Sequence, residues 1–216
     1  MQHLWSRLSL LLALLVLAIA TSSAGTQVTL GQSTIGDVLF INTGPDSASF
    51  SFTGMCGAQS NCLSGYGYYG SNVGTYEMWV VGGPMTLGSP TSGVYPIDMS
   101  GATIYFTFSY GSSYLDGDLL LENVTDGTEM PRFIGGMDIS SSNLPGFPNG
   151  RYVDFDGNIY LGSGPTLDQV YAGTAHSTRG FLSSGQFLPI PEPGSIALFG
   201  SGILGLAGLL KRKMMI

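Results

Sequence analysis

Lysine is missing from residues 25–190, and the basic side chains of that stretch are three arginines, Arg132, Arg151 and Arg179. Thirteen aspartates and glutamates lie in the same stretch, so its net charge is −10. A surface this acidic repels phosphate backbones and anionic lipid headgroups. The composition therefore excludes nucleic acid as a partner of this region.

Histidine is nearly as scarce, because His176 is the one that follows residue 24. A Ser-His-Asp triad needs a preorganised histidine base, and a zinc site usually takes three or four histidine or cysteine ligands. His176 stands in a Gly-, Ser- and Thr-rich segment, which is a poor place for such a base. We therefore predict a surface histidine, no enzymatic activity and no cofactor.

Cysteine occurs twice, at Cys56 and Cys62. In an exported chain an even pair of cysteines predicts a disulfide, which here would close a short loop. A redox or metal-binding pair is the alternative reading. It is less favoured because the spacing is not Cys-x-x-Cys and no histidine lies nearby.

No stretch between the two ends of the chain shows sustained helical periodicity, and several show period two. The clearest is residues 103–110, where Ile104, Phe106, Phe108 and Tyr110 share one face. Many short strands separated by turn residues are typical of an all-β fold. We predict a single β-sandwich or jelly-roll-like domain over residues 25–173, between an N-terminal signal peptide and a C-terminal transmembrane helix.

Turn-forming residues predict the connections between these strands. Asp156-Gly157 is a strong two-residue hairpin signal. Two Gly- and Ser-rich stretches, residues 54–74 and 140–150, are expected to be looser. Residues 174–190 are again rich in Ser, Thr and Gly, and we predict a stalk there.

Two groups of residues are candidates for ligand binding. Asp154, Asp156 and Asn158 have the oxygen ligands and spacing for weak Ca²⁺ binding, as do Asp116 and Asp118, although residues of a hairpin turn are the favoured reading. The second group is aromatic and predicts a platform for sugar rings; a plain adaptable contact loop is the alternative. Its members are Tyr66, Tyr68, Tyr69 and Trp79.

Both ends of the chain predict export. Residues 1–24 have the basic start, apolar run and small residues of a secretory signal peptide, with an uncleaved anchor as the alternative. At the other end, Pro191-Glu192-Pro193 precedes an uncharged apolar run, residues 196–210, and then Lys211-Arg212-Lys213. The basic cluster places the far end of the run in the cytoplasm. A plain single-span tail anchor fits the tail as well.

This tail, residues 191–216, resembles the PEP-CTERM sorting signal of Gram-negative bacteria. The matching residues are Pro191, Glu192, Pro193, the apolar run, Lys211, Arg212 and Lys213. The resemblance implies that an exosortase, a membrane transpeptidase, reads the tail. Residues 42–45, 49–54, 144–148 and 165–170 also resemble acidobacterial PEP-CTERM families.

Together these features predict an exported protein that passes through the inner membrane to the cell surface or extracellular matrix. We expect a structural or binding role in the envelope or exopolysaccharide matrix, with exosortase and the membrane as partners during sorting and exopolysaccharide as a further partner. The alternative is a secreted carbohydrate-binding or carbohydrate-active protein.

Overall fold

Thirteen β-strands and one short helix make up the described part of the chain, residues 26–126 and 129–189 of a computed structural model. In chain order the elements are β1 Val28–Ile35, β2 Val38–Gly44, β3 Ser47–Phe52, β4 Gly54–Cys56, β5 Gln59–Tyr69, β6 Asn72–Gly82, β7 Met85–Leu87, β8 Val94–Asp98, β9 Ala102–Tyr110, β10 Ser113–Thr125, β11 Arg132–Ser142, β12 Tyr152–Tyr160, α1 Leu167–Tyr171 and β13 Ser177–Phe187.

The strands form a closed antiparallel β-barrel. Ten of them follow one another around a circuit, in the order β1-β5-β6-β9-β10-β8-β7-β3-β2-β13 and back to β1. Strands β11 and β12 join β10 to β13 across this circuit, and β4 pairs with β5. The all-β prediction is confirmed, but the chain forms a closed barrel rather than a clear sandwich, because the pairings β1–β13 and β8–β10 leave no open sheet edge there.

Alternation of side chains puts the hydrophobic core inside the barrel. In β9, Ile104, Phe106 and Phe108 are buried while Tyr105 and Ser109 are exposed, as the period of two predicts. The strand therefore has one buried and one solvent-facing side, in agreement with the alternation in residues 103–110.

Two clusters of phenylalanines fill the interior. Phe106, Phe155 and Phe187 form one, with ring centroids 4.6 and 4.9 Å from Phe187. Phe40 and Phe50 pack against Phe133 in the other. A cavity of about 10 Å³ lies between the apolar side chains, which is barely the space of one water molecule. This cavity is therefore too small for a ligand larger than a water molecule.

The stretch 54–74, expected to be loose, consists of β4, β5 and the start of β6. Its glycines alternate with tyrosines, so that Gly65 and Gly67 point inward and Tyr66 and Tyr68 point outward. A Cβ on Gly67 would lie 2.9 Å from the Phe108 ring. The glycines therefore make room for core aromatic rings, and the stretch is a strand.

The hairpin predicted at Asp156-Gly157 is also wrong, because both residues lie inside the continuous strand β12. Gly157 faces the core, where a Cβ would lie 2.7 Å from the Phe155 ring. Close packing, and not a turn, accounts for this glycine. Residues 140–150 are a strand end followed by a loop, as β11 continues to Ser142.

The stalk predicted for residues 174–190 is largely a barrel strand. Strand β13 pairs with β12 along one side and with β1 and β2 along the other. Ser and Gly are abundant in it because most of its outward positions are polar and because Gly180 and Gly185 lie close to neighbouring side chains. The predicted signal peptide and transmembrane segment lie outside the described residues. Within the described ones, no helix has the length and hydrophobicity to cross a membrane.

Candidate functional site

A disulfide joins Cys56 to Cys62, with 5.9 Å between their Cα atoms, which confirms the predicted bond. It ties β4 to β5 at the end of a tight hairpin, in which Gly57 and Asn61 have positive φ. Cys62 is opposite Trp79 in the β5–β6 ladder. The disulfide therefore fixes the strand beside Trp79.

The predicted aromatic platform divides into three parts. Tyr66 and Tyr68 project from the outer face of β5, and Tyr66 is 57% exposed. Tyr69 turns inward, donates a hydrogen bond to the Pro145 carbonyl at 2.9 Å and is buried. Trp79 lies on β6 and stacks on Tyr105 of β9. The four residues therefore do not form one surface.

A different set of five outward-facing residues forms a row across the outer face of the barrel. It consists of Trp79, Tyr105, Asp118, Asp138 and Tyr152, each directly opposite the next on strands β6, β9, β10, β11 and β12. We call it the aromatic–acid row. Of its members, the sequence pointed to Trp79 as a sugar contact and to Asp118 as a calcium ligand.

Tyr152 is held in place at one end of this row. Its hydroxyl donates to Glu122 Oε1 at 3.0 Å. Its ring lies over the backbone of Gly136, where a Cβ would overlap the ring. Burial and the bonded Glu122 carboxylate raise the pKa of Tyr152 to about 12. The hydroxyl therefore stays protonated at physiological pH and can donate its hydrogen bond to Glu122.

The calcium candidates lie along the outer face of β12. Asp156 accepts hydrogen bonds from Nε and Nη2 of Arg132 through its two oxygens, and the Asn158 amide donates to Ser184 Oγ at 3.1 Å. Asp154 is exposed beside them. No group of three or more His, Cys, Asp or Glu in the described ranges is arranged to hold a metal ion. Calcium binding stays a prediction, which the contacts of Asp156 with Arg132 disfavour.

A second group of titratable side chains lies near α1. The hydroxyl of Tyr95 donates to Asp168 Oδ1, and Asp126 lies close to Asp168. Burial, followed by the Asp168 charge, raises the pKa of Asp126 to about 6, and burial raises the pKa of Tyr95. An open pocket of about 470 Å³ lies beside the group, lined by Asp46, Tyr95, Asp168 and Tyr171.

Sequence reasoning missed this group, because its three members come from β8, the residue after β10, and α1. The one available signal was the capping box of α1, in which Thr166 and Gln169 bond each other's backbone amides. It marks a helix start, but not what the helix contacts. His176 is exposed in the segment between α1 and β13.

Comparison with known proteins identifies the end of the chain. A family model described as the PEP-CTERM protein-sorting motif matches residues 189–213. No curated protein and no solved structure matches the chain. The matched range contains Pro191, Glu192, Pro193, Lys211, Arg212 and Lys213, so the resemblance found in the sequence is confirmed. The chain therefore ends in a PEP-CTERM sorting motif, which implies an exported protein that an exosortase sorts to the cell surface or envelope.

Proposed function

We propose that this chain is a surface-sorted protein of the cell envelope or exopolysaccharide matrix, in which the barrel has a structural or binding role and no catalytic one. The sorting motif is the observation that carries the proposal. Its match begins at residue 189, two residues after β13 ends. The folded barrel is thus the part that the signal delivers.

The chemistry of the barrel supports this role. The net charge of −10 over residues 25–190 suits a hydrated extracellular setting and repels nucleic acid. The disulfide suits an oxidising compartment outside the cytosol. The sheet is closed, which protects strand edges from pairing with other chains.

The sorting step is tested by replacing Pro191, Glu192 and Pro193 together with alanine and fractionating the cells. We expect the variant to stay in the membrane fraction, because the enzyme no longer reads the signal. A matched control changes the same residue types at exposed positions of the barrel: Pro84→Ala, Pro90→Ala and Glu129→Ala. Surface delivery of the motif variant at the level of this control would contradict the proposal.

A second candidate function is carbohydrate binding or carbohydrate-active chemistry. It is favoured by the stacked Trp79–Tyr105 pair on the outer face, since aromatic rings with a polar edge are common at wet contact surfaces. One assay distinguishes a carbohydrate-binding protein from a carbohydrate-active enzyme. Incubation with oligosaccharides that yields a complex but no new reducing ends supports a binding module, whereas new reducing ends support an enzyme.

A further inference from the structure

We infer that the aromatic–acid row is a binding site for an extended, neutral, hydroxyl-rich glycan. The inference rests on the proposed function, because delivery to the cell surface brings the barrel into contact with polysaccharide.

The length of the row sets the size of the ligand. Its five residues lie on five adjacent strands, joined by four strand-to-strand steps. Neighbouring strands are about 4.8 Å apart, so the backbones of Trp79 and Tyr152 are roughly 19 Å apart, measured along the curved sheet. This span is longer than a disaccharide. A chain that lies perpendicular to the strands would contact aromatic rings at both ends.

The aromatic side chains of the row are only partly buried: Trp79 is half-buried, and Tyr105 and Tyr152 are exposed. The rings of Trp79 and Tyr105 are stacked, with centroids 5.5 Å apart and planes 23° apart. Tyr105 and Tyr152 are 38% and 40% exposed. Such rings bury large apolar area at little cost in side-chain entropy, and the C–H faces of neutral sugars supply the matching apolar surface. The contact with Glu122 holds the Tyr152 ring in place before any ligand arrives.

The centre of the row supplies hydrogen-bond acceptors. Asp118 and Asp138 are exposed and directly opposite each other on β10 and β11. Neither forms an ion pair with the described part of the chain. Ionised carboxylates only accept hydrogen bonds, and bonds to them are among the strong ones. Sugar hydroxyls are suitable donors, whereas a uronic acid would be repelled.

The two opposed carboxylates, Asp118 and Asp138, also destabilise the fold. Like charges directly opposite each other in a ladder are destabilising. No described cation compensates this pair, so folding alone does not account for it. Replacing one carboxylate with its amide should therefore stabilise the barrel and weaken glycan binding at the same time. A purely structural surface pair would show the first effect without the second.

The test uses the full-length protein in detergent and isothermal titration calorimetry. The probes are β-1,4-linked glucose and mannose oligosaccharides, from disaccharide to hexasaccharide, and oligogalacturonides of the same lengths as the acidic comparison. We expect affinity to rise at least about tenfold from disaccharide to tetrasaccharide, and to change little beyond that, since the row is then covered. A tenfold change in affinity is about 1.4 kcal/mol, and Trp and Tyr are enriched among the few interface residues whose loss costs that much or more.

Variants locate the site. Trp79→Ala and Tyr152→Ala should each lower tetrasaccharide affinity about tenfold or more, and Asp118→Asn should lower it while raising the melting temperature. Tyr160→Ala is the matched control, because Tyr160 lies on the same strand as Tyr152 with 39% exposure but outside the row. Circular dichroism and thermal unfolding confirm that each variant is folded.

Several results would overturn the inference: no binding of the neutral probes, equal binding of the acidic probes, or loss of binding in Tyr160→Ala or Tyr66→Ala but not in Trp79→Ala. These outcomes leave the sorting proposal intact, since cell fractionation of the motif variant tests that separately. Surface delivery of the motif variant, together with normal tetrasaccharide binding, would contradict the sorting proposal and leave the glycan site supported.

Discussion

Strand β13 holds the barrel closed, so truncating its last core residue should strongly destabilise the domain. Phe187 is fully buried, and its ring contacts those of Phe106 and Phe155. It is also opposite Val28 of β1 and Phe155 of β12, at a closing seam of the barrel. Phe187→Ala therefore removes a large side chain where three strands meet.

The size of the effect follows from the burial. Deleting a buried phenylalanine side chain typically costs about 3–5 kcal/mol, because apolar area is lost and a cavity remains. Domains are stable by only about 5–15 kcal/mol, so this is a large fraction of the total. With an m-value of about 2 kcal/mol/M in urea, the unfolding midpoint should fall by roughly 1.5–2.5 M.

Urea unfolding followed by tryptophan fluorescence and by circular dichroism measures this shift. Phe181→Ala is the control on the same strand, because Phe181 packs on Tyr160 and is only partly buried. Its midpoint should move by much less. If residues 174–190 were a stalk, Phe187→Ala would leave the midpoint unchanged, and that result would refute the role of β13 in the fold.

Two further predictions concern ionisation and the disulfide. The raised pKa of Asp126 means that the folded state holds its proton more tightly than the unfolded chain, so its contribution is full below about pH 4 and is lost as the pH rises through about 6. The melting temperature of Asp126→Asn relative to wild type should therefore rise between these pH values, and a pH-independent difference would contradict the raised pKa of Asp126. Replacing Cys56 and Cys62 with serine should lower the free energy of unfolding by about 2–3 kcal/mol, since the closed loop is short. Two free thiols in native material, seen by non-reducing mass spectrometry, would show that the bond does not form.

The alternation of apolar and polar residues made the strands predictable, but it did not make the closed barrel predictable. In β9, Ile104, Phe106 and Phe108 alternate with polar residues and Tyr105, and such a pattern fits a half-buried strand of either a sandwich or a barrel. Closure depends on which strands pair, here β1 with β13 and β8 with β10. These partners are distant in sequence, so local patterns do not identify them.

Glycine was the main source of wrong predictions. At Gly67 and Gly157 it makes room for the rings of Phe108 and Phe155, which are contacts made inside the folded barrel. The same residue type marks turns in sequence patterns, so the strands around these two glycines were predicted as a loose stretch and a hairpin. Gly57, with φ near +58°, is a turn of the kind that such patterns do find.

Functional residues could be predicted from the sequence only where they are contiguous in the chain. The Pro-Glu-Pro motif and the basic end of the tail are contiguous, and the family model confirms them. The aromatic–acid row takes one residue from each of five strands, so its composition depends on register. Trp79 was identified as a contact residue from its type, but its stacking partner Tyr105 was hidden in the polar face of β9.

Intact mass spectrometry of the protein recovered from the cell surface and the medium distinguishes a sorted and processed protein from a plain tail anchor. Sorting with removal of the tail predicts a mature chain that begins near Gly25 and ends near Pro191, because the sorting enzyme acts at the Pro-Glu-Pro motif. A chain that still carries Lys211, Arg212 and Lys213 and stays in the membrane fraction would contradict it, and would indicate a plain tail anchor.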